Sequence, residues 1–434
     1  MARRLRIRPA SVPLRGHCRP PGDKSVSHRV AILGGLAEGV TRIRGFLDAE
    51  DTRATLDAMA ALGAEVEEVG DAITIGGGRL KPPEQALDLG NSGTGMRLLC
   101  GMLAGHRDLR GSEITLVGDA SLSSRPMGRI IDPLMTMGAV IESAQQRAPL
   151  RIRPQALEAI RYSTPVASAQ VKSALLLAGL SAEGETVVVE PGPSRDHTER
   201  LLPAFGVPLL DGAPGVGVRG GSRLKGASIH VPGDLSSAAF LLAAAVLVPG
   251  SEVEIENVGL NPTRDGFLRV LDALGARLEL SLDKSVGLEP VGTLCARHQS
   301  LEGIAIPASW VPLAIDEFPI IMALAASARG QSTIQGAQEL RVKESDRIAV
   351  MCTALRSLGV RVDETPDGAV IEGGAIQGGT VDSHGDHRIA MSAAVLGLIA
   401  QDEIIVEQAE WIATSYPGFV DDLKGLGADA AWLD

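Results

Sequence analysis

Several short runs place Lys, Arg and Ser directly before apolar stretches of the chain. PGDKSVSHR at 21–29 carries Lys24, Ser25 and Arg29, and LGNSGTGMR ends in Arg97. If the apolar stretches are helices, these side chains lie at helix N-termini, where unpaired N–H groups and the helix dipole favour anions. Arg adds a planar fork that matches phosphate or carboxylate oxygens. The runs therefore predict binding of an anionic small molecule.

Similar residue types stand at corresponding places further along the chain. ASAQVKS, PSRDHTER, RVKESDR and GDHRIAM each begin or precede such a stretch, and AIDEFP adds two carboxylates in the same kind of position. Positive charges gathered at these places, in a chain of net charge −12, predict a cationic cleft for a polyanionic ligand. The residues are Lys24, Arg29, Arg97, Arg125, Lys343, Arg347 and Arg388.

Each run also has an ordinary structural interpretation. A Ser or Asp before a helix is usually an N-cap, and Ser25 or Ser27 is a candidate cap here. RVKESDR alternates in charge as solvent-exposed helices do. His384 and His387 lack a third ligand for a metal site. PGDKS is not a Walker loop, because Asp23 stands where that loop needs Gly.

The composition bounds the class of protein. The chain has 434 residues, 45% hydrophobic and 22% charged, which is typical of a folded protein of two or three domains. Its 3% aromatic content and net charge of −12 disfavour a nucleic-acid-binding or anionic membrane surface. Four separated cysteines predict neither disulfides nor a zinc cluster, and no apolar run is long enough for a membrane span. Without a secretory signal, we predict a cytoplasmic protein.

One pattern recurs six times along the chain. An amphipathic stretch ends in Gly, with apolar residues one and four positions before it, as at a helix C-terminus. Between successive copies lies a more apolar stretch followed by a β-like run. The order buried helix, strand, amphipathic helix, strand is therefore predicted throughout, with each Gly in a left-handed conformation. The glycines are Gly63, Gly138, Gly206, Gly275, Gly359 and Gly427.

These repeats predict an α/β fold. The glycines are 68 to 84 residues apart, which is too long for the units of a simple solenoid. We therefore predict that the six repeats form two pseudo-symmetric domains of three repeats each, with a cleft between the domains.

Taken in order, the motifs resemble those of the enolpyruvyl transferases. The resemblance covers nearly the whole chain and rests on PGDKSVSHR, GNSGTGMR, GDASLSSRPMGR, ASAQVKSA, RDHTER, DEFPI, RVKESDR, DHRIAM and ATSYPGF. It implies two domains, each of three βαβαββ units, with the active site in the interdomain cleft. Domain I is expected to comprise 1–21 and 234–434, and domain II 22–233.

The branch of the family that the chain resembles transfers the enolpyruvyl group of phosphoenolpyruvate to the 5-hydroxyl of shikimate 3-phosphate, in aromatic amino acid biosynthesis. Phosphate leaves through a tetrahedral intermediate. The resemblance implies Asp316 as the base toward the hydroxyl, Glu344 as the acid for the methylene, and Lys24 as electrostatic stabiliser. No metal or other cofactor is implied, and a monomer is expected.

The same resemblance implies two sets of binding residues. Shikimate 3-phosphate is expected to contact Lys24, Ser25, Arg29, Ser168, Ala169, Gln170, Ser194, Arg195, Asp316 and Lys343. Phosphoenolpyruvate is expected to contact Lys24, Gly93, Arg97, Arg125, Gln170, Arg347, His387 and Arg388.

At some positions this chain differs from one group of the shikimate 3-phosphate enzymes and matches another group. Ala169 replaces a Ser, Glu339 replaces an Asn, and Thr414 and Ser415 stand where a Lys can reach phosphoenolpyruvate. Gly93 stands where Ala in some relatives crowds the inhibitor glyphosate, so ordinary glyphosate sensitivity is expected.

Two alternatives remain. The sister branch uses UDP-N-acetylglucosamine as acceptor and usually has a reactive Cys in the loop that corresponds to 118–126, where this chain has none. A non-catalytic anion-binding protein would keep the cationic residues but not the acids. Asp316 and Glu344 therefore favour the enzyme.

Overall fold

The chain divides into two compact domains at Pro21/Gly22 and at Val231/Pro232. The computed structural model describes residues 3–210, 214–283 and 289–433. Domain I comprises the described residues before Gly22 and from Pro232 onward except Glu289, which groups with domain II, Gly22–Val231. Each domain has its own apolar core.

The described residues form fourteen α-helices. They are α1 Lys24–Leu36, α2 Glu50–Ala61, α3 Gly93–Gly105, α4 Ala120–Ser124, α5 Gly128–Thr136, α6 Ala169–Gly179, α7 His197–Ala204, α8 Leu235–Leu247, α9 Gly266–Ala273, α10 Val311–Ala314, α11 Phe318–Ser327, α12 Arg347–Ser357, α13 His387–Gly397 and α14 Phe419–Gly425.

The same part of the chain forms twenty-four strands. They are β1 Arg4–Ile7, β2 Arg15–Cys18, β3 Gly39–Arg44, β4 Glu65–Val69, β5 Ala72–Gly77, β6 Leu87–Asp88, β7 Ile114–Val117, β8 Val140–Ala144, β9 Arg147–Arg153, β10 Leu157–Glu158, β11 Arg161–Ser163, β12 Ala182–Glu183, β13 Glu185–Val189, β14 Val216–Arg219, β15 Ser228–His230, β16 Glu252–Gly259, β17 Glu279–Leu282, β18 Val291–Arg297, β19 Gln331–Ile334, β20 Arg361–Thr365, β21 Gly368–Glu372, β22 Gly379–Asp382, β23 Ile404–Glu407 and β24 Ala430–Leu433.

The six predicted repeats are present. The apolar stretches form α1, α3, α6, α8, α11 and α13, and the amphipathic stretches form α2, α5, α7, α9, α12 and α14. All six terminal glycines have φ between +81° and +108°. Residues with a Cβ adopt this left-handed region only at a cost, so the prediction that each Gly ends its helix in this conformation is confirmed.

The sheets repeat one topology. In four of them a strand lies parallel to the strand that follows the buried helix, and two further antiparallel strands complete the sheet. Their orders are β15-β3-β5-β4, β6-β7-β9-β8, β2-β16-β18-β17 and β22-β23-β1-β24. The third and fifth repeats form three-stranded sheets, β11-β13-β14 and β19-β21-β20, within the described residues.

At each of the two points where the chain crosses between the domains, the last strand before the crossing pairs within the domain that the chain is leaving. β2 leads to α1 in domain II but pairs in parallel with β16 of domain I. β15 leads to α8 in domain I but pairs in parallel with β3 of domain II. β1 also pairs far along the chain, between β23 and β24. Domain I is therefore built from segments that are distant in sequence, and in domain II the pairing of β15 with β3 joins the two ends of one continuous segment.

The buried helices form the centre of each core. All thirteen residues of α8 and twelve of the thirteen in α3 are buried. A helix that is apolar on every side is stable only inside a core. In domain II, Gly101 allows α3 to approach the backbone of α6, because a Cβ there would lie 2.7 Å from the Cα of Ala174.

We predict that Gly101→Ala lowers the free energy of unfolding by about 2 kcal/mol, because the added methyl group forces α3 and α6 apart. Urea unfolding followed by circular dichroism measures this change. The matched control is Gly192→Ala in the same domain, where a Cβ meets nothing within 4 Å. Equal stability of the two variants would show that the helices do not depend on this close approach.

Candidate active site

Three helices of domain II start with a capping side chain next to predicted site residues. The Asp23 carboxylate accepts from the Val26 N–H at 2.9 Å, and the Ser92 hydroxyl accepts from the Gly95 N–H at 3.1 Å. Ser168 caps α6 in the same way. The prediction of Ser25 or Ser27 as the first cap was wrong, since Asp23 takes that role and the Ser27 hydroxyl accepts from the Leu47 N–H.

Two arginines flank Gly93 at the start of α3. Arg97 donates from Nη1 to the side-chain oxygen of Gln170 at 2.8 Å, and Arg125 donates to the side chain of Asn91 at 2.5 Å. A Cβ at Gly93 would lie 3.0 Å from Nη1 of Arg97 and 3.3 Å from Nη1 of Arg125. The structure therefore brings together four residues predicted to contact phosphoenolpyruvate: Gly93, Arg97, Arg125 and Gln170.

Lys24 is the first residue of α1 and pairs with a carboxylate that sequence reasoning missed. Its ammonium group forms an ion pair with Asp51, the second residue of α2. Both side chains are largely buried, at 17% and 8% exposed. No motif marks Asp51, because it lies 27 residues from its partner in an ordinary amphipathic helix.

Arg29 is held inside the protein. Its guanidinium donates to the Thr198 hydroxyl at 2.7 Å, the Ser173 hydroxyl at 2.8 Å and the Ser25 carbonyl at 2.8 Å. Burial lowers the pKa of Arg29 to about 10, which still leaves it charged at neutral pH. This predicted ligand residue therefore links α1 to α6 and α7.

Ser168 and Ser194 are brought together by Glu190. The Glu190 carboxylate accepts from the Ser168 N–H at 2.8 Å and from the Ser194 hydroxyl at 2.7 Å. Ala169 is the first residue of α6, and Arg195 follows Ser194, half-buried in the loop before α7. Two of the predicted shikimate 3-phosphate contacts, Ser168 and Ser194, thus lie around one carboxylate.

In domain I a single arginine holds three carboxylates. Arg347, 1% exposed, contacts Asp386 at 2.8 Å, Glu344 at 2.7 Å and Asp316 at 3.5 Å. Lys343 also pairs with Asp316, at 3.3 Å. The interpretation of RVKESDR as an exposed helix therefore fails for Arg347, because Arg347 begins α12 inside the core and its charge is compensated there.

The charges in this cluster stabilise one another. Burial alone would lower the pKa of the Arg347 guanidinium, but the nearby Asp386, Glu344 and Asp316 carboxylates raise it above its ordinary value. Burial would raise the pKa of Asp386, but Arg347 holds it below the usual range. The pair is ionised at neutral pH and keeps Asp316 and Glu344 close to one cation.

Asp316 and its neighbour Glu317 differ in accessibility. Glu317 is 1% exposed, accepts a hydrogen bond from the Ser236 hydroxyl, and lies 3.9 Å from Arg264. Asp316 retains 17% exposure of its side chain. Of the two acids in AIDEFP, Asp316 is therefore the one that a ligand can reach.

His387 and Arg388 begin α13, which Asp386 caps by accepting from the Arg388 N–H at 2.9 Å. The His387 ring lies 3.3 Å from the Thr414 hydroxyl. The Arg388 guanidinium has no hydrogen bond or ion pair with the residues that the structure describes. It therefore has donors to offer a ligand.

The described residues contain no group of three or more His, Cys, Asp or Glu side chains arranged to hold a metal ion. Among the same residues, no helix has the length and apolarity that a membrane crossing requires.

Solved structures share this fold over the entire chain. An EPSP synthase from Acinetobacter baumannii superposes with a TM-score of 0.88 and 44% sequence identity, covering 100% of both chains. The predicted two-domain α/β fold of an enolpyruvyl transferase is thereby confirmed.

Sequence comparison identifies the family. The family model described as EPSP synthase (3-phosphoshikimate 1-carboxyvinyltransferase) matches residues 9–423. A 3-phosphoshikimate 1-carboxyvinyltransferase from Acidithiobacillus ferrooxidans is 52% identical over 420 residues, and one from Methylococcus capsulatus is 50% identical over 422, each covering 96% of both chains. The chain belongs to the EPSP synthase family. It is a transferase, and the activity predicted from the sequence, a step of the shikimate pathway, is the activity of this family.

Proposed function

We propose that the clusters in the two domains act together as the active site for the enolpyruvyl transfer of this family. The observation that carries the proposal is the pair of acids, Asp316 and Glu344, that one buried arginine holds side by side. Transfer from phosphoenolpyruvate to the 5-hydroxyl of shikimate 3-phosphate needs two proton movements at neighbouring atoms. Two adjacent carboxyl groups supply them.

Domain II provides most of the anion-binding groups in this proposal. Arg97 and Arg125, on either side of Gly93, bind phosphoenolpyruvate, whose phosphate and carboxylate match guanidinium donors. The Ser168 hydroxyl and Arg195 bind shikimate 3-phosphate, and the ammonium of Lys24 contacts both substrates. Domain I adds the Lys343, Arg347, His387 and Arg388 side chains.

The chemical steps follow from these positions. Asp316, as a carboxylate, takes the proton of the 5-hydroxyl as the hydroxyl oxygen bonds to C2 of phosphoenolpyruvate, and it later releases that proton with the departing phosphate. Glu344, protonated in the substrate complex, gives a proton to C3. The tetrahedral intermediate then loses phosphate from C2 and returns a proton from C3 to Glu344, which restores the double bond. Lys24 stabilises the charge that develops on the departing phosphate.

The sister reaction with UDP-N-acetylglucosamine is not favoured. Loop 118–126 lacks the cysteine that it would use, and the family model and the two relatives named above carry the name 3-phosphoshikimate 1-carboxyvinyltransferase. The monomeric state and cytoplasmic location stay predictions.

The acceptor is tested by measuring phosphate release from purified protein with phosphoenolpyruvate. We expect release with shikimate 3-phosphate and none with UDP-N-acetylglucosamine. Release only with the nucleotide sugar would assign the sister reaction, and saturable binding of shikimate 3-phosphate without release would indicate a non-catalytic binder.

Asp316→Asn is expected to lower kcat by about 100-fold or more, because an amide cannot accept the hydroxyl proton. Binding of shikimate 3-phosphate, measured by isothermal titration calorimetry, is expected to survive. Asp363→Asn, an exposed change on β20, is the matched control and keeps the native kcat. Near-normal turnover by Asp316→Asn would remove this residue from the mechanism.

Glyphosate is expected to inhibit the native enzyme in competition with phosphoenolpyruvate. Gly93→Ala places a methyl group against Arg97 and Arg125, and we expect it to weaken inhibition by about tenfold or more. Steady-state inhibition constants check this, with Gly192→Ala as the control. Inhibition of the native enzyme only at millimolar concentrations would contradict the expectation.

A further inference from the structure

We propose that Glu190 is a positioning residue for the binding of shikimate 3-phosphate, an inference that rests on the proposed function. Its carboxylate fixes the first turn of α6, where Ser168 lies, to the loop that carries Ser194. No sequence motif marks Glu190, which directly follows β13.

The contacts of Glu190 use both carboxylate oxygens. Oε1 accepts from the Ser168 N–H at 2.8 Å. Oε2 accepts from the Ser194 hydroxyl at 2.7 Å and contacts the Lys172 ammonium at 2.8 Å. The Glu190 side chain is only 10% exposed. Charge-assisted hydrogen bonds of this length hold their partners more firmly than neutral ones do.

These contacts give the two serines different roles. The Ser168 oxygen accepts from the Val171 N–H, and its hydroxyl proton has no acceptor among the described residues, so it can be donated to a phosphate. The single hydroxyl proton of Ser194 points to Glu190 instead. Glu190 therefore orders the backbone at Ser168, and the Ser194 hydroxyl donates the second hydrogen bond to the Glu190 carboxylate.

Lys172 compensates the negative charge of Glu190 beside the proposed phosphate site. Its side chain, 5% exposed, lies between Glu190 and Glu199, at 2.8 Å and 2.7 Å. A buried carboxylate without a cation would repel a phosphate dianion and would be costly to desolvate. Glu199 contacts the same lysine, whereas the Ser168 N–H and the Ser194 hydroxyl donate to Glu190.

Glu190 and Glu199 form a matched pair for the test. Glu190→Gln keeps the side-chain volume but leaves only one oxygen to accept hydrogen bonds. That oxygen cannot accept from both serines, and the new NH₂ group cannot accept from the Lys172 ammonium. We expect a rise of about tenfold in the KM for shikimate 3-phosphate. The KM for phosphoenolpyruvate and kcat are expected to change much less. Glu199→Gln is expected to raise the KM for shikimate 3-phosphate less than Glu190→Gln does.

A double-mutant cycle with Ser168→Ala shows whether Glu190 acts through Ser168. If it does, the combined variant binds shikimate 3-phosphate no more weakly than Ser168→Ala alone. Additive losses, or a native KM in Glu190→Gln, would overturn the proposal. Circular dichroism confirms folding, and if Glu190→Gln is unfolded, Glu190→Asp is used, since it keeps the charge but is too short to reach both serines. Lack of phosphate release by the native protein would instead refute the proposed function.

Discussion

The apolar environment of six buried helices constrains where this chain can place charge. The bodies of α3 and α8 have almost no exposed surface, so an unpaired ionised group within them would be prohibitively costly. Charged and polar side chains therefore appear at the helix starts, where free N–H groups and capping residues already require polar partners. Repetition of the helix generates several such starts, and this explains why the candidate site residues are spread over the whole sequence.

Three charged side chains that enter the core, Arg347, Arg29 and Lys172, come with compensating partners. Arg347 is surrounded by three carboxylates, Arg29 by hydroxyls and a carbonyl, and Lys172 by two glutamates. Removing one partner from such a group costs more than the pair contributes, because the other charge is left buried. In the proposed active site, this arrangement keeps the acids and the cationic donors in fixed positions before a ligand binds, which reduces the entropy lost on binding.

The repeats made the fold predictable, whereas the partners of the site residues were not. Gly63 and its five counterparts mark helix ends because their conformation is a local requirement, and local requirements are written into short stretches of sequence. Asp51 and Glu190 could not be found in this way, since each meets its partner only after distant segments pack. Arg347 lay in a run of alternating charge that resembles a solvent-exposed helix. Only the tertiary structure shows that its neighbours in space are carboxylates rather than water.

The pairing of β1 with strands at the far end of the sequence also determines when this protein can fold as it is synthesised. Residues 22–231 leave the ribosome as one continuous block, so domain II can form while the rest is still being translated. Domain I cannot, because β1 needs both β23 and β24, the last strands to be made. β1 must therefore stay unpaired until translation is nearly finished. A chain that stops before residue 404 loses the partners on both sides of β1, and with them the sheet of the sixth repeat.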